Sequence, residues 1–402
     1  METPDTDARI DAWIRLRHAA GHAGWLRDAL APGGTWSAAR LLAAPVGEWL
    51  RLGAPIGARE SAFDADADAA VARVRDWLSR DSAHAVLGWG DADYPSLLRD
   101  IANPPTLLFV HGSIERLWWP QIAVVGSRAP TPAGRERAAR WARAFADAGF
   151  VVTSGLAAGV DAAAHAEALD RSAGSTGSGP STVAVIGTGP DRCFPAANRG
   201  LQSAIARGGC VVTEHPPGAD ARPEHFPSRN RIIAGLSLAT VVVEAAERSG
   251  ALITARLAAE AGREVFAIPG APENLKARGC HRLIRDGAAL VEAPEEVIDA
   301  MAAGAANSAG RLRRVLGLGA ADRAAAKTVD PTGRGGLRND RFPTAPDAPE
   351  TTVLRALDAE GAGFDALLLR TGLTSASLAP ILLAMELEGR LTQQHGVYLP
   401  SG

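Results

Sequence analysis

The chain has 402 residues, 47% of them hydrophobic and 22% charged, with 42 Lys+Arg against 45 Asp+Glu for a formal net charge of -3. That length suggests two or three domains, and that composition supports a sizeable core and excludes a disordered chain. The charge excludes a protein that holds polyanions by overall basicity, so a nucleic-acid site has to be a local patch.

Three scattered cysteines, Cys193, Cys210 and Cys280, lack CxxC spacing, which argues against a disulfide framework or a zinc site. The opening METPDTDARI is acidic and leads into an amphipathic stretch, so no signal peptide is expected. No apolar run reaches the roughly 20 residues a membrane helix needs. A cytoplasmic protein with no membrane partner is the expectation.

Residues 1–84 predict a small helical, SAM-like domain. Ala8–Ala20, Trp36–Leu42 and Ala65–Leu78 read as short helices, and Pro32-Gly33-Gly34 and Pro55 break them. Between 85 and 301 the pattern changes. Ile122–Val125, Phe150–Thr153, Thr182–Ile186, Cys210–Thr213, Leu238–Val243 and Glu264–Ile268 are apolar at successive positions, as strands buried on both faces should be. Helical stretches such as Ala133–Ala148 and Ala251–Ala261 alternate with them. This predicts an α/β domain with a Rossmann-like, doubly wound, mostly parallel sheet, which takes ligands at the C-terminal ends of its strands. Arg171–Ser181, rich in Gly and Ser, reads as a surface insertion.

Residues 302–349 are rich in Ala, Gly, Arg and Pro with little periodicity and predict a flexible linker. Eight Lys/Arg face three Asp between Arg311 and Arg341, a local charge of +5. A solvated tether and a DNA-attracting arm both fit. In residues 350–402, Thr351–Leu357, Phe364–Thr371 and Ser377–Glu388 are helical patterns, and Leu391–Leu399 is a hairpin. That order is a winged-helix layout, with Ser377 as the N-cap that lets Pro380 sit in a first turn.

Five strand-to-helix loops carry the chemistry. In Val125–Pro132, Gly126 permits close backbone approach, Ser127 offers a hydroxyl and Arg128 a planar fork for phosphate. The loop is not GxGxxG, which disfavours a dinucleotide cofactor, and no cofactor or metal is expected. In Ser154–Asp161, Ser154, Gly155 and Gly159 suit an oxyanion or phosphate. Asp161 and His165 lie one turn apart on the following helix; they read either as a proton-transfer pair or as a helix cap beside a satisfied histidine.

Gly187-Thr188-Gly189 precedes Phe194–Arg199 in the third loop. The fourth, Phe226–Ser237, sets Arg229, Asn230 and Arg231 just after an aromatic. Arginines suit phosphates and an aromatic suits an unstacked base; a core Phe226 with two surface arginines is the other reading. In the fifth, Glu244–Ala255, Ser249 and Gly250 open a helix. There is no nucleophilic triad, Walker A loop or HExxH.

Together Val125–Arg128, Ser154–His165, Phe194–Arg199, Phe226–Ser237, Glu244–Ala255 and Ile268-Pro269-Gly270 resemble the DNA-processing protein A (DprA/Smf) family. The resemblance spans about 120–290, and the helical domain and winged helix fit longer members. It implies a non-enzymatic, homodimeric binder of single-stranded DNA that protects incoming DNA in natural transformation and helps load the recombinase RecA. The implied site maps to Gly126–Arg128, Ser154–Gly155 and Phe226–Arg231, with Arg222 as the candidate cation before Phe226.

Two rivals stand beside it. A lysine-decarboxylase-like phosphoribohydrolase would need a Pro-Gly-Gly-x-Gly-Thr loop, and Arg248-Ser249-Gly250-Ala251-Leu252 stands there instead. A winged-helix regulator of duplex DNA would need a basic C-terminal domain, and residues 350–402 hold six acidic residues and three arginines.

Overall fold

The computed structural model describes residues 6–20, 24–32, 34–173, 181–302, 362–363, 367, 370–371, 391–394 and 397–400. They fall into two compact units, Met1–Lys327 and Thr328–Gly402. The linker 302–349 lies outside the described residues from 303 onward, as do 174–180 of the Gly/Ser-rich insertion.

The first unit begins with helices α1 (Thr6–Ala20), α2 (Gly24–Ala29), α3 (Ala38–Ala43), α4 (Val46–Arg51), α5 (Ala58–Ser61) and α6 (Ala65–Ser79). Local chemistry sets the start of α6. Asp64 accepts the Ala67 N–H at 2.7 Å, and Asp66 and Asp68 sit in the first turn, where carboxylates favour the positive end of the helix. These helices bury Trp13, Leu16, Leu26, Leu41 and Trp49 in one cluster with Val86, Leu107 and Phe109. The last three belong to β1 (His84–Gly88) and β2 (Leu107–Gly112). The helical layer therefore closes its core on an antiparallel strand pair that was absent from the predicted runs.

After β1 comes the short α7 (Ser96–Arg99), then β2 and β3 (Gln121–Val125), α8 (Pro132–Asp147), β4 (Val151–Ser154), α9 (Val160–Ala173) and β5 (Thr182–Val185). There follow α10 (Arg199–Gly208), β6 (Cys210–Thr213), α11 (His225–Leu236), β7 (Ala239–Val242), α12 (Ala251–Glu260), β8 (Glu264–Ala267), α13 (Arg278–Arg285) and β9 (Ala289–Leu290). The six predicted strands form within a residue or so of the expected bounds. The sheet order is β1-β2-β6-β5-β4-β3-β7-β8-β9, with β1–β2 and β2–β6 antiparallel and the remaining pairs parallel.

Continuous apolar strands follow from two covered faces. Ala123 and Val125 pack with Ile232, Ile233 and Leu236 of α11 and Ala251 and Ala255 of α12. Ile122 and Val124 point the other way, into Trp141 and Phe145 of α8 and Val160 and Ala164 of α9. Period-two alternation thus serves two apolar layers at once.

The second unit shows a three-stranded sheet, β10 (Ala362–Gly363), β11 (Leu391–Gln394) and β12 (Val397–Pro400), in the order β10-β12-β11. The hairpin expected at Leu391–Leu399 is present as β11 and β12. Leu367, Arg370 and Thr371 are helical, as expected for Phe364–Thr371. The helices expected at Thr351–Leu357 and Ser377–Glu388 lie outside the described residues.

Candidate functional site

The chain leaves β3 through α8 toward β4, and leaves β7 through α12 toward β8 on the opposite side. Neighbouring strands whose connections diverge open a crevice at their C-terminal ends. A groove of about 790 Å³ lies there, lined by Gly126, Ser127, Arg128, Phe226, Asn230, Arg248, Ser249 and Gly250, among others.

Its floor is braced by Glu244, buried at the end of β7. The Ser127 N–H donates to the Glu244 carbonyl at 2.7 Å. The carboxylate accepts from the Thr131 N–H at 2.8 Å, the Thr131 hydroxyl at 2.6 Å and the Asn274 amide at 3.3 Å. Thr131 in turn caps α8 by accepting the Gly134 N–H at 3.0 Å. This ties the β3 and β7 loops together and explains Gly126, where a Cβ would come within 2.8 Å of Val160 and 2.9 Å of the Glu244 carbonyl.

The wall is aromatic. Phe226, half-buried in the first turn of α11, tilts against Phe194 with ring centroids 5.2 Å apart. The Arg128 guanidinium lies 5.9 Å from the Phe226 centroid, within cation–π range. Arg128 and Arg248 are exposed, and the first residues of α12 line the groove, where the Ala251 N–H donates to the Ser249 hydroxyl at 3.3 Å. Arg128, Arg229 and Arg248 against Asp161 make the lining net positive, although the chain as a whole carries -3. A groove with guanidiniums, the positive end of a helix and apolar rings suits an anion joined to a flat apolar group.

The loop after β4 is built differently. Ser154, Gly155 and Gly159 are buried and lie behind the groove. The Ser154 hydroxyl donates to the Val124 carbonyl at 2.6 Å. Asp161 accepts the Gly155 and Ala157 N–H groups at 3.2 and 3.3 Å. The Leu156 N–H donates to His165 Nε2 at 3.3 Å, and His165 Nδ1 meets the Thr182 hydroxyl at 2.6 Å. That hydroxyl gives its proton to the Val152 carbonyl at 2.5 Å. It therefore receives one from Nδ1, which assigns a neutral His165 with its lone pair on Nε2. Burial and the nearby Arg229 push the His165 pKa down to about 3. Of the two readings of Asp161 and His165, the geometry is that of a capped loop with a satisfied histidine.

Arg229 links this loop to α11. It is 5% exposed, and its Nη1 donates to the carbonyls of Gly155 and Val185. Burial lowers its pKa to about 10, against the pull of Asp161. A side chain at Gly155 would overlap this guanidinium, which accounts for the glycine. Arg231 leaves the groove altogether and pairs with the buried Glu214 at 2.8 and 2.7 Å. Of the Arg-Asn-Arg segment, Asn230 lines the groove beside the buried Arg229, and its amide reaches the Gly250 carbonyl at 3.5 Å. Arg222 is exposed outside the groove lining, where its neighbour Pro223 takes part. Phe194 and Arg248 join the site without having been singled out; both lay inside loops that had been marked, and the rings' mutual contact is a tertiary fact.

Comparison with known proteins places these features. A family model described as DNA recombination-mediator protein A matches residues 85–302, and one described as DprA winged helix domain matches residues 339–397. Protein Smf of Synechocystis sp. is 34% identical over 315 residues, covering 76% of this chain and 77% of that protein. DNA processing protein DprA of Streptococcus pneumoniae is 44% identical over 208 residues, covering 52% of this chain and 71% of its own length. An X-ray structure of the Streptococcus pneumoniae DprA superposes with a TM-score of 0.61 at 33% identity, over 74% of this chain and 98% of that one.

Proposed function

The chain belongs to the DprA/Smf family, and from that premise we propose that it binds single-stranded DNA in the groove between the β3 and β7 loops and processes DNA in natural transformation and recombination. Phosphates sit against Arg128, Arg248 and the start of α12, and an unstacked base lies on the Phe226–Phe194 wall. The observation that carries this reading is the Arg128 guanidinium 5.9 Å over the Phe226 ring at the switch point of the sheet. Charge and a π surface side by side suit a strand whose bases are exposed, whereas a duplex hides its base faces.

The protein acts as a binder and not as an enzyme. Asp161 and His165, the pair the groove loops offer as acid–base machinery, both hold backbone N–H groups. Within the family's role the bound strand is protected and handed to the RecA recombinase, by a homodimer in the cytoplasm. In support of that location, no described helix is long and apolar enough to cross a membrane.

Fluorescence anisotropy with one oligonucleotide, single-stranded and as a duplex, across a salt series tests the reading. The single strand should bind more tightly at every salt concentration, with log K falling linearly against log salt. Equal affinity for strand and duplex would overturn it.

A further inference from the structure

Outside the groove, Asp81, His84 and His111 gather at the seam between the helical layer and the sheet. Asp81 follows α6, His84 opens β1 and His111 lies in β2. The register pairs His84 directly with His111, which sets both rings on one face of the sheet. One donor atom of each residue lies within 4.8 Å of the other two. Asp81 Oδ2 and His111 Nε2 are 3.4 Å apart, close to the roughly 3.3 Å edge of a tetrahedron around a zinc ion.

The surroundings orient these donors. His84 Nδ1 donates to the Trp77 carbonyl at 2.6 Å, which leaves its lone pair on Nε2. A ligating histidine is commonly held this way, with its second nitrogen on a carbonyl. The ring also stacks on Trp77, centroids 4.1 Å apart and planes 16° apart. Asp81 Oδ1 accepts the Ala83 N–H at 2.9 Å, so Oδ2 is the oxygen turned to His111.

We propose that Asp81, His84 and His111 form a site for one divalent transition-metal ion of the zinc class. Two imidazoles and one carboxylate are a borderline-soft set that suits zinc better than magnesium or calcium. Beside the two histidines lies a pocket of about 720 Å³ whose lining also includes Arg80, Arg192 and Arg199. Nearby positive charge is partly offset, since Arg80 pairs with Asp76 and Arg192 lies 3.9 Å from both Asp191 and Asp220. The ligands come from the turn after α6 and from both strands of the β1–β2 pair, so the ion ties that turn to the sheet and stabilises the folded chain by mass action.

The test uses tag-free full-length protein stripped with a chelator, then titrated with zinc in competition with a colorimetric indicator and followed in parallel by thermal melting. One zinc per chain is expected, with Tm rising by roughly 3 °C or more once zinc exceeds Kd about a hundredfold. His111→Ala should weaken binding about a hundredfold or more. Asp81→Asn, which keeps an acceptor for Ala83, should weaken it about tenfold or more. If His111→Ala does not fold, Asp81→Asn decides. Cys193→Ser should bind zinc like the parent. Absence of stoichiometric binding, unchanged affinity in Asp81→Asn, or loss of zinc in Cys193→Ser would overturn the proposal.

Discussion

The loop after β4 and the loops after β3 and β7 share serine, glycine and a following helix, yet they commit their polar groups in opposite ways. In the β4 loop, Ser154, Asp161 and His165 all bond to the protein itself, and Arg229 closes over it from α11. In the β3 and β7 loops, Glu244 and Thr131 take up the bracing, which leaves Arg128 and Arg248 exposed toward the groove. Three loops of similar composition therefore divide the work into scaffold and contact surface. Burial separates them, because a buried polar group has to be satisfied from within.

The sharpest way to break this division is Arg229→Ala. It removes the cation beside the buried Asp161 and the donor for two buried carbonyls. Stability should fall by about 3–5 kcal/mol, read as a lowered urea midpoint. A drop in DNA affinity without that loss would move Arg229 from scaffold to contact.

His165 tests the same loop by pH. It titrates at about 3 in the folded chain and near 6.5 when unfolded. Between these values the unfolded chain binds a proton that the native chain does not. The stability is fully present above about pH 6.5 and is lost as pH falls toward 3, with a slope of about 1.4 kcal/mol per pH unit. Asp161, whose pKa burial raises, works in the opposite sense at the acid end. Urea midpoints should run parallel from pH 7.5 to about 6.5, and from there down to pH 5.0 His165→Gln should be flatter than the parent, approaching one proton's slope; parallel curves over that lower range would refute the buried neutral histidine.

The same division explains what the sequence could reveal. Strand positions were legible because two covered faces demand continuous apolar runs, as in Ile122–Val125. β1 and β2 were not, although both of their faces are covered, Val86 and Phe109 by the helical layer and Leu87, Leu108 and Val110 by the core on the other side, because the runs are short and end in His84 and His111, which share the helical-layer face. The loops were legible as glycine-rich strand ends. Which loop would be scaffold was not, since Arg229, Glu214 and Glu244 act through contacts far along the chain. Arg231 reads like Arg128 in sequence, but a buried carboxylate on another element turns it away.

Phe226 sharpens the contact side. As a stacking platform, Phe226→Ala should cost about 1–3 kcal/mol of single-strand binding with an unchanged salt slope, and its half-buried ring should leave Tm nearly unmoved. A lowered Tm with normal binding per folded molecule would return Phe226 to the core. Arg128→Ala is the complementary probe. The slope of log K against log salt should shrink by about 0.7, one phosphate on a single strand; an unchanged slope and affinity would remove Arg128 from the site.

The smallest effect is expected from deleting residues 302–402. The segment between Arg311 and Arg341 carries +5, which can attract a strand over no more than about a Debye length of 8–10 Å in physiological salt. Beyond it, Glu350, Asp358, Glu360, Asp365, Glu386 and Glu388 outnumber Arg355, Arg370 and Arg390, so the winged-helix region has the wrong sign for a phosphate surface. Recognition helices contact bases through their N-terminal part, whereas Arg390 follows the C-terminal end of the predicted Ser377–Glu388 helix. These charges fit a module that contacts protein. Truncation should therefore leave single-strand affinity within a few-fold at moderate salt, with the difference fading as salt rises. A hundredfold loss, about 2.7 kcal/mol, would place the main DNA contact in the tail and leave the groove as an accessory.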